Sequence, residues 1–409
     1  MAHVVPPASR VPVPDRLALS QRRYNHDRLL EALRVRGTAT RADLCRLTGL
    51  SRATVAAAVS RMLADGMMRE LPPPIDPTSR ASGPGRPAAT LAPVEPPGVV
   101  VGLDFGHSHL RAAAADLVGH VLAETHHELQ VDNSPDDAIA AAATEFGWLL
   151  DRIGRSSSDV TGVVMGLPSP IDRDSGRVVT NNILPGWVSR APARELQSLI
   201  GLPVLLDNDA NLAALGEMTF GAAAGLRNLI YVKASTGIGT GLIFDGRVYR
   251  GSTGTAGELG HVQIQPDGAA CRCGNRGCLE TLVSVPHILA TLQPMHRDPL
   301  TIADVVALVR AGDIGARRVV TDAGRTIGRS LADLCNVLNP SALILGGELS
   351  AAGTALTEGV REAIDLHAQP VSAAAVAVST STLDDRAEVL GAIALALQNS
   401  PAVRLPDAH

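Results

Sequence analysis

The first regular pattern of apolar residues along the chain lies between residues 25 and 37. Leu29, Leu30 and Leu33 fall on one face of a predicted helix, and Gly37 ends that helix. Residues 1–21 are rich in proline and show no such periodicity, so we expect them to be disordered.

A short helix, a turn and a longer helix are predicted next. Leu44 and Leu47 are expected to face inward in the short helix, and residues 48–50 form the turn. Ser51 is a suitable N-cap for the longer helix, in which apolar residues recur at helical spacing from Val55 onward. This order of elements predicts a helix-turn-helix.

A helix-turn-helix enters the major groove of DNA with the first residues of its second helix. Arg52 could read guanine there, and its neighbours could reach phosphates or base edges. The predicted contacts are Ser51, Arg52, Ala53 and Thr54. The later segments MMREL and AATLAPV can pair as a β wing, with Arg86 between them on an extended arm suited to a minor groove. The alternatives are a helical packing unit with solvated arginines and a flexible linker.

The distribution of charge favours a polyanionic partner for this part of the chain only. The formal net charge of the protein is -5, yet residues 21–70 contain ten arginines against five acidic residues, a net charge of +5. An odd count of 5 cysteines, with no apolar stretch after a basic start, indicates the reducing cytoplasm and not a secreted disulfide scaffold. No apolar run approaches the ~18 residues that a membrane span needs.

Three apolar strands in the rest of the chain end in glycine-rich turns. One ends at Asp104 and Gly106, the next leads into residues 237–241, Gly-Ile-Gly-Thr-Gly, and the third ends at residues 346–347. Such small residues let backbone N–H groups approach a phosphate. The pattern predicts two similar α/β lobes around a cleft of nucleotide size.

A fourth strand delivers a group of polar side chains. It is predicted as a buried strand over residues 204–206, and Asp207, Asn208, Asp209 and Asn211 follow at its C-terminal end, where α/β proteins place ligand groups. A carboxylate there could accept a proton from a substrate hydroxyl during phosphoryl transfer. The same residues also suit an ordinary turn and helix cap.

Residues 257–280, GELGHVQIQPDGAACRCGNRGCLE, contain one histidine and three of the cysteines, with a glutamate near each end. Three interpretations fit this window: a disulfide knot, a metal site and a loop that is rich in cysteine.

The motifs LDNDANLAALGE, STGIGTGL, GELGHVQI and CRCGNRGCLE give the chain a strong resemblance to the ROK family of bacterial repressors and sugar kinases. The resemblance extends from Asn25 to about Asn399. A winged helix joined through a GRPA segment is similar to the regulator branch, that of xylose, glucose and N-acetylglucosamine repressors. It implies an α/β protein in which a winged helix-turn-helix precedes a two-lobed actin-like or hexokinase-like domain.

The resemblance implies that the cysteine-rich window holds one structural Zn²⁺. Its ligands would be His261, Cys271, Cys273 and Cys278. The donor set agrees, because three thiolates and an imidazole complete a tetrahedral site with no open position for water. A disulfide between Cys271 and Cys273 would close a strained ring, and a reducing compartment disfavours it.

A sugar site is implied on the cleft wall beside the zinc. Carboxylates that accept pairs of hydroxyl protons suit a neutral polyol. The implied sugar ligands are Asn181, Asn208, Asp209, Glu258, His261 and Glu280. The alternative for the two glutamates is that they are solvated residues around the metal.

The nucleotide side of the cleft departs from the kinases of the family. Those kinases have Asp-x-Gly-Gly-Thr at the first phosphate turn, where this chain has Asp-Phe-Gly-His-Ser, and Gly-Thr-Gly at the second, where it has Ser-Thr-Gly. His107 is expected to crowd the first turn and to strain a position that needs a positive φ. The positions concerned are Asp104, Gly106, His107 and Ser108 in the first turn and Thr236, Gly237 and Gly239 in the second.

We therefore expect a sugar-responsive transcriptional regulator, a repressor of carbohydrate genes, with no catalytic residue. A homodimer or homotetramer would bind a palindromic operator, and sugar in the cleft would change the spacing of the recognition helices. One alternative is an ATP-dependent sugar kinase of glucokinase type with an added DNA-binding domain, in which Asp209 would be the base. Another is a regulator controlled by a protein partner.

The expected organisation has six parts. They are a disordered segment (1–21), a winged helix-turn-helix with its linker (22–92), a first lobe (98–225), a second lobe with the zinc site (226–383), a helix that returns to the first lobe (384–399) and a tail (400–409).

Overall fold

The computed structural model divides the chain into two compact units, Met1–Pro96 and Pro97–His409. It describes residues 25–26, 28–30, 32–33, 36–64, 67–71, 89–94, 98–179 and 183–400. Each unit has a hydrophobic core of its own.

The N-terminal unit combines helices with a small antiparallel sheet. The described residues between 25 and 36 are helical. Strand β1 (Ala39–Thr40), helices α1 (Arg41–Thr48) and α2 (Arg52–Ala64), and strands β2 (Met68–Leu71) and β3 (Thr90–Pro93) follow in that order. Strand β3 pairs with both β1 and β2, so the predicted pairing of the two wing segments is confirmed. The core includes Leu29, Leu33, Leu44, Val55, Val59, Met62 and Leu91.

Local hydrogen bonds define where the two helices begin and end. Thr40 and Asp43 form a reciprocal capping box at the start of α1, and Gly49 ends that helix with a φ of 66°. The Oγ of Ser51 accepts a hydrogen bond from the backbone N–H of Thr54 at 3.1 Å. Ser51 is therefore the cap that the sequence predicts for α2.

The expectation that Leu47 faces inward is wrong, because its side chain is 48% exposed. Thr48 is buried instead, and its hydroxyl donates to the carbonyl of Leu44 at 2.6 Å. Residues four apart lie on the same helix face, so Leu44 and Thr48 define the buried face of α1 and Leu47 lies beside it.

The larger unit contains two five-stranded sheets with the same topology. The first consists of β4 (Val99–Phe105), β5 (His109–Asp116), β6 (Val121–Glu128), β7 (Val160–Leu167) and β8 (Val204–Asn208), in the order β6-β5-β4-β7-β8. The second consists of β9 (Leu229–Ala234), β10 (Ile238–Phe244), β11 (Arg247–Val248), β12 (Ala342–Gly346) and β13 (Ala377–Thr380), in the order β11-β10-β9-β12-β13. In each sheet three antiparallel strands continue into two parallel ones.

Helices pack against both sheets. Helices α3 (Pro135–Arg152) and α4 (Pro192–Ile200) pack against the first sheet. The second sheet is associated with α6 (Glu280–Val283), α7 (Val285–Leu292), α8 (Ile302–Arg310), α9 (Ile314–Leu338), α10 (Thr354–His367) and α11 (Pro370–Ala375). Strand β8 lies at a sheet edge, and Leu205 is 44% exposed, so the expectation of a fully buried strand at residues 204–206 is wrong.

Two further helices, α5 (Asp209–Phe220) and α12 (Ala387–Asn399), pack against each other and lie between the sheets. Helix α5 contributes to a cluster with the second sheet, and α12 contributes to a cluster with the first. A Cβ at Gly391 would lie 1.7 Å from the carbonyl oxygen of Leu212, which means that the two helix backbones touch where they cross.

The winged helix-turn-helix and the two-lobed α/β architecture that the sequence predicts are both confirmed. Across the described residues, no helix is both long and apolar enough to cross a membrane.

We predict that Gly391→Ala lowers the free energy of unfolding of the larger unit by about 1–3 kcal/mol, because the added methyl group forces the crossing helices apart. Gly147→Ala is the matched control: Gly147 lies in α3, and a Cβ there meets nothing within 4 Å. The control should be neutral or stabilising by up to about 1 kcal/mol. Equal denaturation midpoints for the two variants would contradict the close crossing.

Candidate functional site

A cavity of about 560 Å³ opens between the two sheets of the larger unit. Its wall includes the turn after β4, the start of α5, the turn between β9 and β10, and residues 254–261, with a volume in the range of small-molecule sites. The cavity wall brings together Asn208, Asp209, Glu258, His261 and Glu280. Asn181, the sixth sugar ligand implied by the resemblance, lies outside the described residues.

Asn208 caps α5, and this cap fixes the start of the helix at the cavity wall. Its Oδ1 accepts hydrogen bonds from the backbone N–H groups of Ala210 at 2.9 Å and Asn211 at 3.3 Å. Its Nδ2 donates to the carbonyl of Ser169 at 3.3 Å. The helix-cap interpretation is therefore correct for Asn208, and the cap also places the next residue, Asp209, beside the cavity.

The carboxylate of Asp209 is held by Lys233, the only lysine of the chain. Lys233 Nζ donates to Asp209 Oδ2 at 2.8 Å and lies 2.7 Å from Glu388 Oε1. Asp209 Oδ1 accepts from the N–H of Ala210 at 2.8 Å. Lys233 was not predicted as a site residue from the sequence, although a single lysine in an otherwise apolar strand is a signal that could have found it.

Glu258 faces the cavity beside His261, whose Nε2 lies 3.7 Å from Glu258 Oε2. Burial raises the pKa of Glu258 to about 7, with further contributions from the charges of Asp209 and Glu280. Near neutral pH this carboxyl group is present in both forms, so it can accept or donate a hydrogen bond.

Glu280 is already engaged by partners within the chain. Arg272 donates to both of its oxygens, at 2.9 and 3.0 Å, and the backbone N–H of Ile238 donates to Oε2 at 3.0 Å. A sugar hydroxyl would therefore have to share this carboxylate with a guanidinium. Arg272 is a second residue of the site that sequence reasoning missed, although it lies between two of the candidate cysteine ligands.

The histidine and the three cysteines of the window converge on one point. The candidate ligand atoms of His261, Cys271, Cys273 and Cys278 all lie within 4.8 Å of one another. Cys271 Sγ is 3.6 Å from His261 Nδ1, and Cys273 Sγ is 3.7 Å from Cys278 Sγ. A tetrahedral site with Zn–S and Zn–N bonds of usual length has N···S edges of roughly 3.6 Å and S···S edges of roughly 3.8 Å, so these two spacings fit a bound metal ion.

Burial changes the pKa values of two of these groups in opposite directions. Burial, together with the neighbouring thiols, raises the pKa of Cys278 to about 12, and burial lowers the pKa of His261. A neutral imidazole is ready to bind a metal, whereas the thiols must lose their protons when the ion enters. Nδ1 of His261 faces the cysteines while Nε2 faces Glu258, so one ring can serve both the metal cluster and the cavity.

The first phosphate turn is covered by a side chain of the protein. The ring of His109 lies over Gly106, where an added Cβ would be 2.1 Å from its Cε1 atom. His109 Nε2 is 3.3 Å from Asp104 Oδ2, and this hydrogen bond raises the pKa of His109. The ring also stacks on His126, with a centroid distance of 5.4 Å. An imidazole thus occupies the approach to the backbone that a phosphate would need, and His109 was not singled out from the sequence.

The expected strain at His107 is absent. Its backbone is not among the described non-glycine residues with positive φ, and its Nδ1 lies 2.8 Å from Asp132 Oδ1. The carbonyls of His107 and Ser108 accept hydrogen bonds from Val131 and Leu129, which extend the hairpin pairing through the turn. This pairing keeps residue 107 in an ordinary conformation, so the expectation of a positive φ was wrong.

The second phosphate turn is also engaged by side chains. Ser235 Oγ donates to Glu348 Oε2 at 2.8 Å. A Cβ at Gly237 would lie 2.3 Å from the Arg272 guanidinium, and one at Gly239 would lie 3.0 Å from the Cβ of Ala210. Thr236 lines the cavity between these groups. Glu348 was missed from the sequence, and its carboxylate adds negative charge beside the second turn.

The candidate DNA-contacting residues lie at the start of α2. Ser51, Arg52 and Ala53 are exposed, and Thr54 is half-buried. Ser51 Oγ and Thr54 Oγ1 are 2.8 Å apart, so both hydroxyls also serve the cap of the helix. Arg52 forms no ion pair with any residue that the structure describes. Arg86 lies outside the described residues, and its minor-groove role remains a prediction.

Comparison with known proteins places this architecture in a family. Residues 100–399 match the ROK family, and residues 22–67 match a winged helix-turn-helix DNA-binding family. The chain belongs to the ROK family. Over 378 residues it is 28% identical to the xylose repressor of Bacillus spizizenii, a match that covers 92% of this chain and 96% of the repressor.

The relatives of the chain include both a transcriptional regulator and a kinase. A ROK family transcriptional regulator that is a homologue of the Escherichia coli Mlc protein has a solved structure with a TM-score of 0.69 and 27% identity, covering 94% of this chain and 98% of that one. The glucokinase of Halalkalibacterium halodurans is 31% identical over 310 residues, which are 71% of this chain and 92% of the kinase. The repressors span both units, whereas the kinase match covers a smaller part of the chain.

Proposed function

We propose that this protein is a sugar-responsive repressor of carbohydrate genes. The observation that carries the proposal is the asymmetry of the cavity: groups suited to sugar hydroxyls line one part, and side chains of the protein itself cover both phosphate turns. The N-terminal helix-turn-helix and the repressors among the relatives support the same conclusion. The xylose repressor, Mlc and the N-acetylglucosamine repressor all match this chain over most of its length.

The sugar end offers several acceptors in a small volume. The proposed ligands are Asn208, Asp209, Glu258, His261 and Glu280, together with Asn181. Carboxylates, an amide and an imidazole N–H can accept from and donate to a ring of neighbouring hydroxyls, which is what a neutral monosaccharide presents. A ligand that leaves these buried groups unpaired would bind poorly, because each lost hydrogen bond to a charged group costs about 1.5–3 kcal/mol.

The side chains at the nucleotide end of the cavity favour a sugar sensor over a sugar kinase. A triphosphate would have to displace His109 from Gly106 and would meet the carboxylate of Glu348. The retained Asp209 and the similarity to a glucokinase are the arguments for the kinase alternative. That alternative predicts ATP turnover that is lost in Asp209→Asn.

We propose that α2 enters the major groove of an operator and that two or four chains bind related half-sites. The 98–225 and 226–383 lobes would enclose the sugar, and helix 384–399 would move with the first lobe. A tenfold loss of operator affinity requires the sugar to favour the non-binding state by about 1.4 kcal/mol, which one or two hydroxyl hydrogen bonds can supply.

The ion proposed for the cluster of one histidine and three cysteines is Zn²⁺, as a structural cofactor. Three thiolates and one imidazole are a donor set that Zn²⁺ prefers, and they leave no position for a reactive water. When bound, the ion would anchor the loop that carries Glu258 and Glu280 to the cavity wall. Free thiols of this kind persist in the reducing cytoplasm, where we propose that the protein acts.

We predict that the purified protein contains about one zinc per chain and that Cys278→Ser loses most of it. Cys45→Ser is the control, because Cys45 lies in the N-terminal unit and outside the cluster. Metal content measured by inductively coupled plasma mass spectrometry tests this. Full zinc content in Cys278→Ser would exclude the proposed ligand set.

We predict that Arg52→Ala weakens binding to an operator, selected from random duplex DNA, by about 5- to 150-fold, because a guanidinium that reads guanine contributes about 1–3 kcal/mol. The control is Arg61→Ala, in the last turn of the same helix, where the Arg61 Nε donates to the carbonyl of Ala57. Fluorescence anisotropy measures both affinities. Equal losses for the two variants would argue against base reading by Arg52.

We predict that calorimetric titration with xylose, glucose and N-acetylglucosamine detects binding of at least one sugar, whereas ATP in a parallel titration does not bind. In a titration above the pKa of Glu258, which is about 7, Glu258→Gln should weaken sugar binding by about tenfold or more, since it removes an ionised acceptor from the cavity. Glu128→Gln, an exposed residue on β6, is the control. Clear binding of ATP would favour the kinase alternative.

A further inference from the structure

The only lysine of the chain joins three structural elements at the base of the cavity. Lys233 lies on β9 of the second sheet, Asp209 begins α5, and Glu388 lies in the first turn of α12. The Lys233 Nζ is 2.8 Å from Asp209 Oδ2 and 2.7 Å from Glu388 Oε1. Their side chains are 18%, 10% and 7% exposed, so one ammonium and two carboxylates share a mostly buried site.

We propose that Lys233 is a positioning residue: it holds Asp209 in the cavity as a hydrogen-bond acceptor for a sugar hydroxyl and joins it to Glu388 at the start of α12. The proposal rests on the sugar-sensing function and adds a regulatory connection to it. Asp209 begins α5, and Lys233 on β9 pairs with both Asp209 and Glu388 of α12. A sugar that hydrogen-bonds to Asp209 would therefore act on both crossing helices and on the second sheet.

Geometry also explains why Asp209 acts as an acceptor. Its Oδ1 accepts from the N–H of Ala210, and its Oδ2 accepts from Lys233. Each carboxylate oxygen can accept a second hydrogen bond, so a sugar hydroxyl still has a partner. Both oxygens already accept a hydrogen bond from a donor of the chain, and this arrangement suits an acceptor role.

The carboxylates around Lys233 stabilise its ammonium, and the ammonium in turn stabilises their negative charge. Burial alone would lower the pKa of Lys233, but Asp209, Glu388 and Asp104 together raise it well above its usual value. Burial raises the pKa of Glu388, and Lys233 counteracts this. Without the lysine, two carboxylates would face each other in a buried site and would take up a proton. Other titratable groups around the site are Asp104 of β4, His109 of β5, Tyr231 of β9 and, across the cavity, Glu258.

The first test needs no sugar. Full-length protein labelled with ¹⁵N-lysine gives a single Nζ resonance, because the chain has one lysine. We expect a charged ammonium throughout the neutral and mildly alkaline range, with a resonance that shifts in both Asp209→Asn and Glu388→Gln. Glu128→Gln, on the exposed side of β6, is the control and should leave it in place. The proposal is overturned if the resonance keeps its wild-type position in Asp209→Asn and Glu388→Gln, or if it titrates like that of a free lysine.

The second test compares sugar affinities as a function of pH, with glucose, xylose and N-acetylglucosamine as the probes. Glu258 titrates in every variant, so the informative quantity is the ratio of the Kd of Lys233→Met to that of the wild type. We expect the ratio to be about tenfold or more near pH 6 and to fall by about tenfold near pH 8.5, as the carboxylate pair loses its shared proton.

The double variant Lys233→Met/Glu388→Gln separates a positioning role from a purely structural one. Glu388→Gln removes the carboxylate that shares Lys233 with Asp209, so the pH dependence of the ratio should become much smaller in the double variant. A ratio that is independent of pH in Lys233→Met overturns the proposal, and so does a double variant that keeps the pH dependence.

If no probe sugar binds the wild type, the proposed function fails, and the Nζ resonance still decides whether the ion-pair cluster exists. If Lys233→Met does not fold, the shift of the Nζ resonance in Asp209→Asn and Glu388→Gln still tests the proposed ion pairs.

Discussion

The rest of the larger unit depends on the crossing of α5 and α12. Gly391 allows the backbone of one helix to touch the carbonyl of Leu212 on the other, and each helix packs against a different sheet. The first turns of both helices, with Asp209 and Glu388, therefore meet at the base of the cavity. A change in the angle of this crossing would therefore change the arrangement of the two sheets on either side of the cavity.

One end of the cavity carries groups that suit sugar hydroxyls, and the other end is covered by side chains of the protein. In the proposed function, Asn208, Asp209 and Glu258 would present acceptors to a sugar, and a metal ion held by His261 and the three cysteines would anchor the loop beside them. At the other end, His109 covers the glycine that would meet a phosphate. The physical distinction between a sensor and a kinase thus rests on a few side chains within one fold, and a retained aspartate is weak evidence for catalysis when a lysine neutralises it.

The sequence was informative where residues close in the chain act together. Helical spacing and the Ser51 cap predicted the helix-turn-helix, and the resemblance to the ROK family implied the cluster around Cys271 that the structure brings together. The sequence did not predict contacts between residues that are far apart along the chain. Lys233 and Glu388 are far apart along the chain, and only the packing of three elements reveals their contact. Leu47 was misjudged because a helix of eight residues is too short for periodicity to define its buried face.

The most direct test of the account is operator release by sugar in the full-length, metal-loaded protein. An operator duplex would be titrated to saturation, each sugar of the panel added without nucleotide, and ADP production followed in a parallel sample with ATP. We predict that one sugar lowers operator affinity by about tenfold or more, equivalent to about 1.4 kcal/mol of coupling, with no ADP formed. Operator binding that is insensitive to every sugar, accompanied by sugar-dependent ADP production, would contradict the sensor and identify a kinase.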